Sequence, residues 1–325
     1  MKKYLVSSFV LLALTACNRV DSISQSADSA ITFADSFVEV KTRLAEDPSI
    51  TTATIDAFDV WATIDNATMI LDEERVTKGA DGWKYDNLQY WLGSHTYFFG
   101  AIAPVDHANI TVDTKNIDEN GLGTVTFTNL DGTDDLIYAS KIVVTADDVV
   151  KNDPGKVQLQ FAHLLSKVKF TFVNGFASSN YKIAVKNIRM TVPKAGTINL
   201  AQVDWRLNSM WDITADGLVL DFGDVNKGAK MAITDSQECD FERLTIPDET
   251  NYTIAFDVAL YIGDYAVPVY EVSRTVNTVQ DLKIGKSYNF KTILGPDNIN
   301  PDGPLRPIEF DVLEVEIWDE KEIYL

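Results

Sequence analysis

Apolar and polar residues alternate with a period of two over residues 55–61, 123–127, 141–145 and 251–258, the pattern of half-buried β-strands. No stretch sustains a helical period. Turn-forming groups punctuate these runs at irregular intervals, among them Asp81-Gly82, Asp131-Gly132, Asn174-Gly175, Ala215-Asp216-Gly217 and Ile262-Gly263-Asp264. The pattern predicts an all-β chain, and 325 residues are enough for two β-sandwiches in tandem. The handover falls in the apolar run of residues 157–173. Fully extended, that run reaches roughly 55 Å, well beyond one ordinary strand, so one sandwich passes to the next inside it. The boundary is placed near residue 162, giving an N-terminal domain over residues 30–162 and a C-terminal domain over residues 163–325.

Both ends carry finer pattern. Residues 30–40 read as a first strand with Ile31, Phe33, Phe37, Val38 and Val40 as its apolar positions, and a polar loop, residues 41–48, follows. Arg43, with Lys41 close by, offers that loop to a trypsin-like protease, and a cut there frees the first strand with everything before it. At the other end Ile308, Phe310 and Val312 alternate on one face, whereas Leu313, Val315 and Ile317 alternate with the opposite parity. Such a slip needs a bend or bulge between Val312 and Leu313, joining two strand pieces that address different surfaces. A loop rich in Pro and Gly, residues 295–304, precedes them. Two arrangements fit: residues 306–325 swing out to a neighbouring subunit, or they form a terminal hairpin on their own domain.

The first seventeen residues supply an address. Met1-Lys2-Lys3, an apolar run over residues 4–13 and Leu14-Thr15-Ala16-Cys17 make a lipoprotein signal peptide, too short to remain as a membrane span. Cys17 becomes the first mature residue and carries the acyl chains, which anchor it stably because there are several. Residues 18–29 are a short polar tether. With 28 basic and 48 acidic residues the formal charge is −20, and losing Lys2 and Lys3 with the leader takes it to −22. Nucleic acid is excluded as a partner class by that balance. Once Cys17 is acylated, Cys239 is the sole free thiol, so no intramolecular disulfide is expected.

The residues point to no catalysis, and neither a metal nor a cofactor is expected. His95, His107 and His163 lie in separate segments without metal-ligand spacing and read as structural or surface residues. Cys239 stands between Glu238 and Asp240, an acidic setting that raises a thiol pKa and works against a nucleophile. The acidic groups at 72–74 and 147–148 lack the spacing of a calcium loop. Six tryptophans, Trp61, Trp83, Trp91, Trp205, Trp211 and Trp318, read as core or sandwich-end packing, with exposed glycan-binding faces as the alternative.

Taken together, the chain resembles the fimbrillins, or type V pilins, and among them the fimbrillin-like lipoproteins. The marks are the Cys17 lipobox, a first strand followed by a basic residue at Arg43, and the aromatic run of residues 90–104 ending in Ala101-Ile102-Ala103-Pro104. They continue with residues 134–139, residues 157–168, and Ile284-Gly285-Lys286-Ser287-Tyr288-Asn289-Phe290 ahead of the Pro/Gly loop and the terminal strand ending at Trp318. The resemblance covers nearly the whole chain. It implies two transthyretin-like β-sandwich domains and export as a lipoprotein to the outer membrane. It further implies removal of the first strand after Arg43 or Lys41 by a trypsin-like protease. Polymerisation then follows by donor-strand exchange with other pilin subunits, in a homopolymer or a mixed adhesive fibre. In that scheme residues 306–325 supply the donor, through Ile308, Phe310, Val312, Leu313, Val315 and Ile317. Reburying five side chains like those of the first strand contributes on the order of 10 kcal/mol before ordering costs. Two alternatives stand beside it: a lipid-anchored pilus anchor subunit that keeps its first strand, and a glycan-binding surface lipoprotein.

Overall fold

A computed structural model describes residues 30–34, 49–51, 53–93, 95–113, 123–143, 156–200, 211–232, 234–299 and 306–317, with 140–143 and 313–317 described by their backbone. The expectation of an all-β chain is met. A six-stranded antiparallel sheet has the order β10 (Ala162–His163), β8 (Ile137–Val143), β5 (Tyr97–Ala103), β2 (Ala57–Ile64), β3 (Thr68–Gly79), β4 (Gly82–Lys84). Both of its faces are covered, which is why β2 and β5 are nearly continuously apolar. Phe58, Val60, Ala62, Tyr97, Phe99, Ala101 and Ala103 point into one core, whereas Trp61, Ile102 and Tyr138, one residue out of phase, point into another.

The second face packs against a four-stranded sheet ordered β14 (Trp211–Ala215), β13 (Ala195–Asn199), β7 (Thr124–Thr128), β6 (Ile110–Asp113). Val125, Phe127, Ile198 and Trp211 meet Trp61, Ile102 and Tyr138 there, joined by Leu164, Leu165, Leu244, Ile246 and Ile284. This sheet pairs β7 with β13, from opposite sides of residue 162. The core between these two sheets therefore draws its residues from both sides of residue 162.

The largest core lies between two further sheets. One is ordered β16 (Ser236–Glu238), β11 (Ser166–Asn174), β20 (Lys286–Leu294), β21 (Asp311–Ile317), with β17 (Arg243–Thr245) also on β11. The other is ordered β15 (Leu218–Gly223), β12 (Tyr181–Val192), β18 (Glu249–Ile262), β19 (Tyr270–Asp281). Phe170 sits at its centre, edge-on to Phe222 at 4.8 Å and 5.4 Å from Phe290. The apolar run of residues 157–173 is broken: β9 (Lys156–Val157) and β10 serve the N-terminal half, and β11 begins the C-terminal sandwich. Among the described residues no helix is long and apolar enough to cross a membrane.

Candidate functional site

The first strand occupies a slot rather than the edge of a large sheet. β1 (Thr32–Phe33) runs parallel to β9, with Thr32 opposite Lys156 and Phe33 opposite Val157. On its other side Ala30 bridges Tyr90, and the Ile31 N–H donates to the Gln89 carbonyl at 2.8 Å. The Ala34 N–H closes the ladder on the Val157 carbonyl at 3.0 Å. Ile31 is 0% exposed and Phe33 3%, so this short piece fills the core beneath it. The Phe33 ring stands edge-on to Phe58 at 5.5 Å, to Tyr85 at 5.8 Å and to Phe99 at 6.4 Å. Burying the two side chains contributes roughly 5 kcal/mol before ordering costs. The other apolar positions assigned to this strand, Phe37, Val38 and Val40, and the processing candidates Lys41 and Arg43 lie outside the described residues, as does Cys17.

One polar side chain is built into the slot. The Tyr85 hydroxyl donates to the Ile31 carbonyl at 2.8 Å and accepts the Gln89 N–H at 3.1 Å, tying the occupant to its wall. Burial pushes the Tyr85 phenol above its ordinary pKa, so it remains a donor. Sequence reading missed Tyr85, because nothing in the local pattern Trp83-Lys84-Tyr85 connects it with a residue 54 positions earlier.

The terminal segment lies on its own sandwich. β21 pairs antiparallel with β20, with Asp311 opposite Lys291 and Ile317 opposite Lys286. Ile308 is 7% exposed, and Phe310 packs on Phe170 at 5.8 Å, Phe172 at 6.0 Å, Phe256 at 6.1 Å and Phe290 at 6.3 Å. Val312 joins the same core, and the Thr292 hydroxyl donates to the Glu309 carbonyl at 2.7 Å. This is the hairpin arrangement of the two that the pattern allowed, and it arises because an aromatic cluster on β11, β18 and β20 leaves room for one more ring. The predicted slip is present but displaced. Glu314 opposes Tyr288 and Glu316 opposes Ser287, so the extra residue is Val315, three positions beyond Val312. Periodicity marks that a bulge exists, while the partner strand decides where it falls. For Leu313, Val315 and Ile317 the description is of the backbone alone.

A model of the fimbrillin-like family matches residues 42–305. The chain belongs to the fimbrillin-like family. It is thereby a member of a class of fimbrial and cell-adhesion proteins, which places it with cell-surface appendages and fimbrial subunits. No curated protein sequence matches it. Among solved structures it is similar to a fimbrial protein from Bacteroides vulgatus ATCC 8482, at 16% identity over 90% of this chain and 100% of that one, with a TM-score of 0.61. A structure from Parabacteroides distasonis ATCC 8503, assigned to cell adhesion, aligns at 10% identity over 88% of this chain and 94% of that one, with a TM-score of 0.50.

Elsewhere in the chain, the described tryptophans, the histidines and Cys239 have structural surroundings. Trp61, Trp83, Trp91 and Trp211 are all buried, which leaves them unavailable as glycan platforms; Trp205 and Trp318 lie outside the described residues. His163 is fully buried with its Nδ1 2.8 Å from Asp135, whose carboxylate also accepts the Ile50 and Leu136 N–H groups. His95 pairs at the surface with Asp65 at 2.6 Å, which holds the Asp65 carboxyl below its usual range, and His107 stands 3.8 Å from Asp134. The Cys239 thiol is pushed up to about 12, first by burial and only then by Glu242 and Glu238, so burial outweighs the acidic setting as the cause. Its sulfur accepts the Phe170 N–H and its S–H faces the Phe241 carbonyl at 3.1 Å. In folded protein at pH 8, iodoacetamide should therefore leave Cys239 unlabelled while labelling it fully in denaturant, as intact-mass measurement would show. Fast labelling of the native chain would contradict the buried, protonated thiol.

Proposed function

We propose that this chain is a fimbrial structural subunit, exported as a lipoprotein on Cys17, trimmed after Arg43 or Lys41, and polymerised by donor-strand exchange. The observation that carries the reading is the seating of residues 30–34: a short strand buried in a slot of its own, joined in sequence to the body through the segment that contains Arg43. Cutting that segment leaves roughly 5 kcal/mol of apolar burial, together with its backbone hydrogen bonds, held by a piece no longer covalently attached. Its loss would bare Phe58, Tyr85, Phe99 and Val157, a slot with free strand edges that another subunit can fill by adding a strand.

The tail divides under this reading. Ile308, Phe310 and Val312 are already committed to their own core, so moving them into a neighbour exchanges one burial for another with no net gain. They act as the root of the donor. Leu313, Val315 and Ile317, beyond that root, are the residues proposed to reach the next subunit. An anchor subunit, which would keep both lipid and first strand, is the second reading, and the seating of residues 30–34 in the uncut chain is common to both.

N-terminal sequencing and mass measurement of the protein recovered from the cell surface separate the two. A chain beginning at Leu44 supports the polymerising subunit, and an acylated chain beginning at Cys17 supports the anchor. Cys17→Ser should abolish labelling by a fatty-acid analogue and block maturation; normal labelling of that variant would remove the lipoprotein assignment.

A further inference from the structure

The slot reads its occupant at three points, two side chains and one carbonyl. Ile31 fills an aliphatic site with no exposure, Phe33 fills an aromatic site framed by Phe58, Tyr85 and Phe99, and the carbonyl between them is taken by Tyr85. Tyr85 is itself fixed, because its oxygen already accepts the Gln89 N–H and its ring is buried. Its proton is thus aimed at one point in the slot. A strand that leaves this point without an acceptor strands a buried donor. A slip of one residue turns the side chains to the wrong face and reverses the carbonyl, whereas a slip of two restores a carbonyl but puts the aliphatic residue in the aromatic site.

We infer that the slot selects a strand of the form aliphatic–any–aromatic, parallel to Lys156–Val157, with Tyr85 setting its register through the carbonyl of the aliphatic residue. This rests on the reading that the first strand is exchangeable. Tyr85 is a positioning residue here. The inference also names the partner. Within residues 306–325 the required spacing occurs at Ile308-Glu309-Phe310, which is committed to its own core. Beyond Val312 the apolar pairs at this spacing are Leu313 with Val315, Val315 with Ile317, and Ile323 with Leu325, each offering an aliphatic residue where the slot holds a ring. The best-fitting occupant is therefore a strand from a different subunit with an aromatic residue two positions after an aliphatic one, and the fibre is a mixed one.

The test uses the full chain nicked with trypsin at Arg43, and follows displacement of the resident segment by fluorescent peptides. A peptide of residues 28–36 should exchange in. The same peptide with Phe33→Ile, and a peptide of residues 311–319, should each bind at least about tenfold more weakly. Tyr85→Phe should weaken the 28–36 peptide roughly fivefold, and a photo-crosslinker at the Phe33 position should then mark a second, shifted set of contacts where wild type marks one. If Tyr85→Phe does not fold, wild type carries the test alone: exchanging Phe33 and Ala34 in the peptide should cost at least about tenfold in affinity.

Equal binding of the 311–319 and 28–36 peptides would overturn the aromatic requirement and the mixed partner while leaving strand exchange intact. A single unshifted crosslink pattern with Tyr85→Phe would overturn the register role of Tyr85. A nicked wild type that takes up no peptide at all would overturn both the inference and the exchange on which it rests.

Discussion

Replacing Phe310 with Ala should lower the stability of the chain by about 2 kcal/mol, a large loss for a residue in a segment that looks detachable from its sequence. Phe310 is half-buried and touches four other phenylalanines from β11, β18 and β20, so its loss uncovers their rings. The consequence for assembly experiments is direct. Deleting residues 306–325 removes Ile308, Phe310 and Val312 from the largest core and strips the edge strand from β20, so that deletion should destabilise or unfold the C-terminal sandwich. Its failure to polymerise would say nothing about donor strands. Truncation after Val312 keeps the three core side chains but gives up four of the six β20–β21 pairings, so it should melt below wild type and above the 306–325 deletion while losing polymer growth after trimming. Melting curves and light scattering on the two truncations check this. Similar melting of both would mean that the root does not anchor the tail.

Phe33→Ala should act at the opposite end with comparable size, about 3 kcal/mol, because the ring is almost wholly buried among Phe58, Tyr85 and Phe99. The loss falls on the seating of the first strand rather than on the sheet beneath it. Two readouts should move together. The urea midpoint followed through tryptophan fluorescence should drop, since Trp83 and Trp91 belong to the same core. The resident segment should also leave faster after nicking at Arg43. A drop in the midpoint with unchanged release would mean that residues 30–34 are held by something other than this pocket. Phe33→Leu should fall between wild type and Ala in both measurements.

The period-two pattern by itself determined the all-β class, the strands read at residues 55–61, 123–127 and 251–258 and found at Ala57–Ile64, Thr124–Thr128 and Glu249–Ile262, the turns between strands, and the apolar character of both ends; of the strand Ile137–Val143 it marked only the last three residues. Those features are local: alternation and turn chemistry are encoded within a few residues of where they act. The resemblance in residue order carried the family. Tertiary structure decided what depends on distant partners. Lys167 and Lys169 alternate with apolar neighbours on β11 as solvent-facing residues do, yet both are buried, with Lys169 2.9 Å from Glu238 and Lys167 3.5 Å from Glu242. The pairing of β7 with β13 across residue 162, the bulge at Val315 and the commitment of Phe310 to its own core are likewise properties of the opposing strand. Tyr85 is the sharpest instance. Its sequence surroundings mark it as one more strand aromatic, and only the arrival of the Ile31 carbonyl and the Gln89 N–H at one hydroxyl turns it into the residue that holds the first strand in register. Hydrogen bonding at a buried point depends on three-dimensional convergence, and a one-dimensional pattern records which side chains are apolar but not which polar atoms will meet.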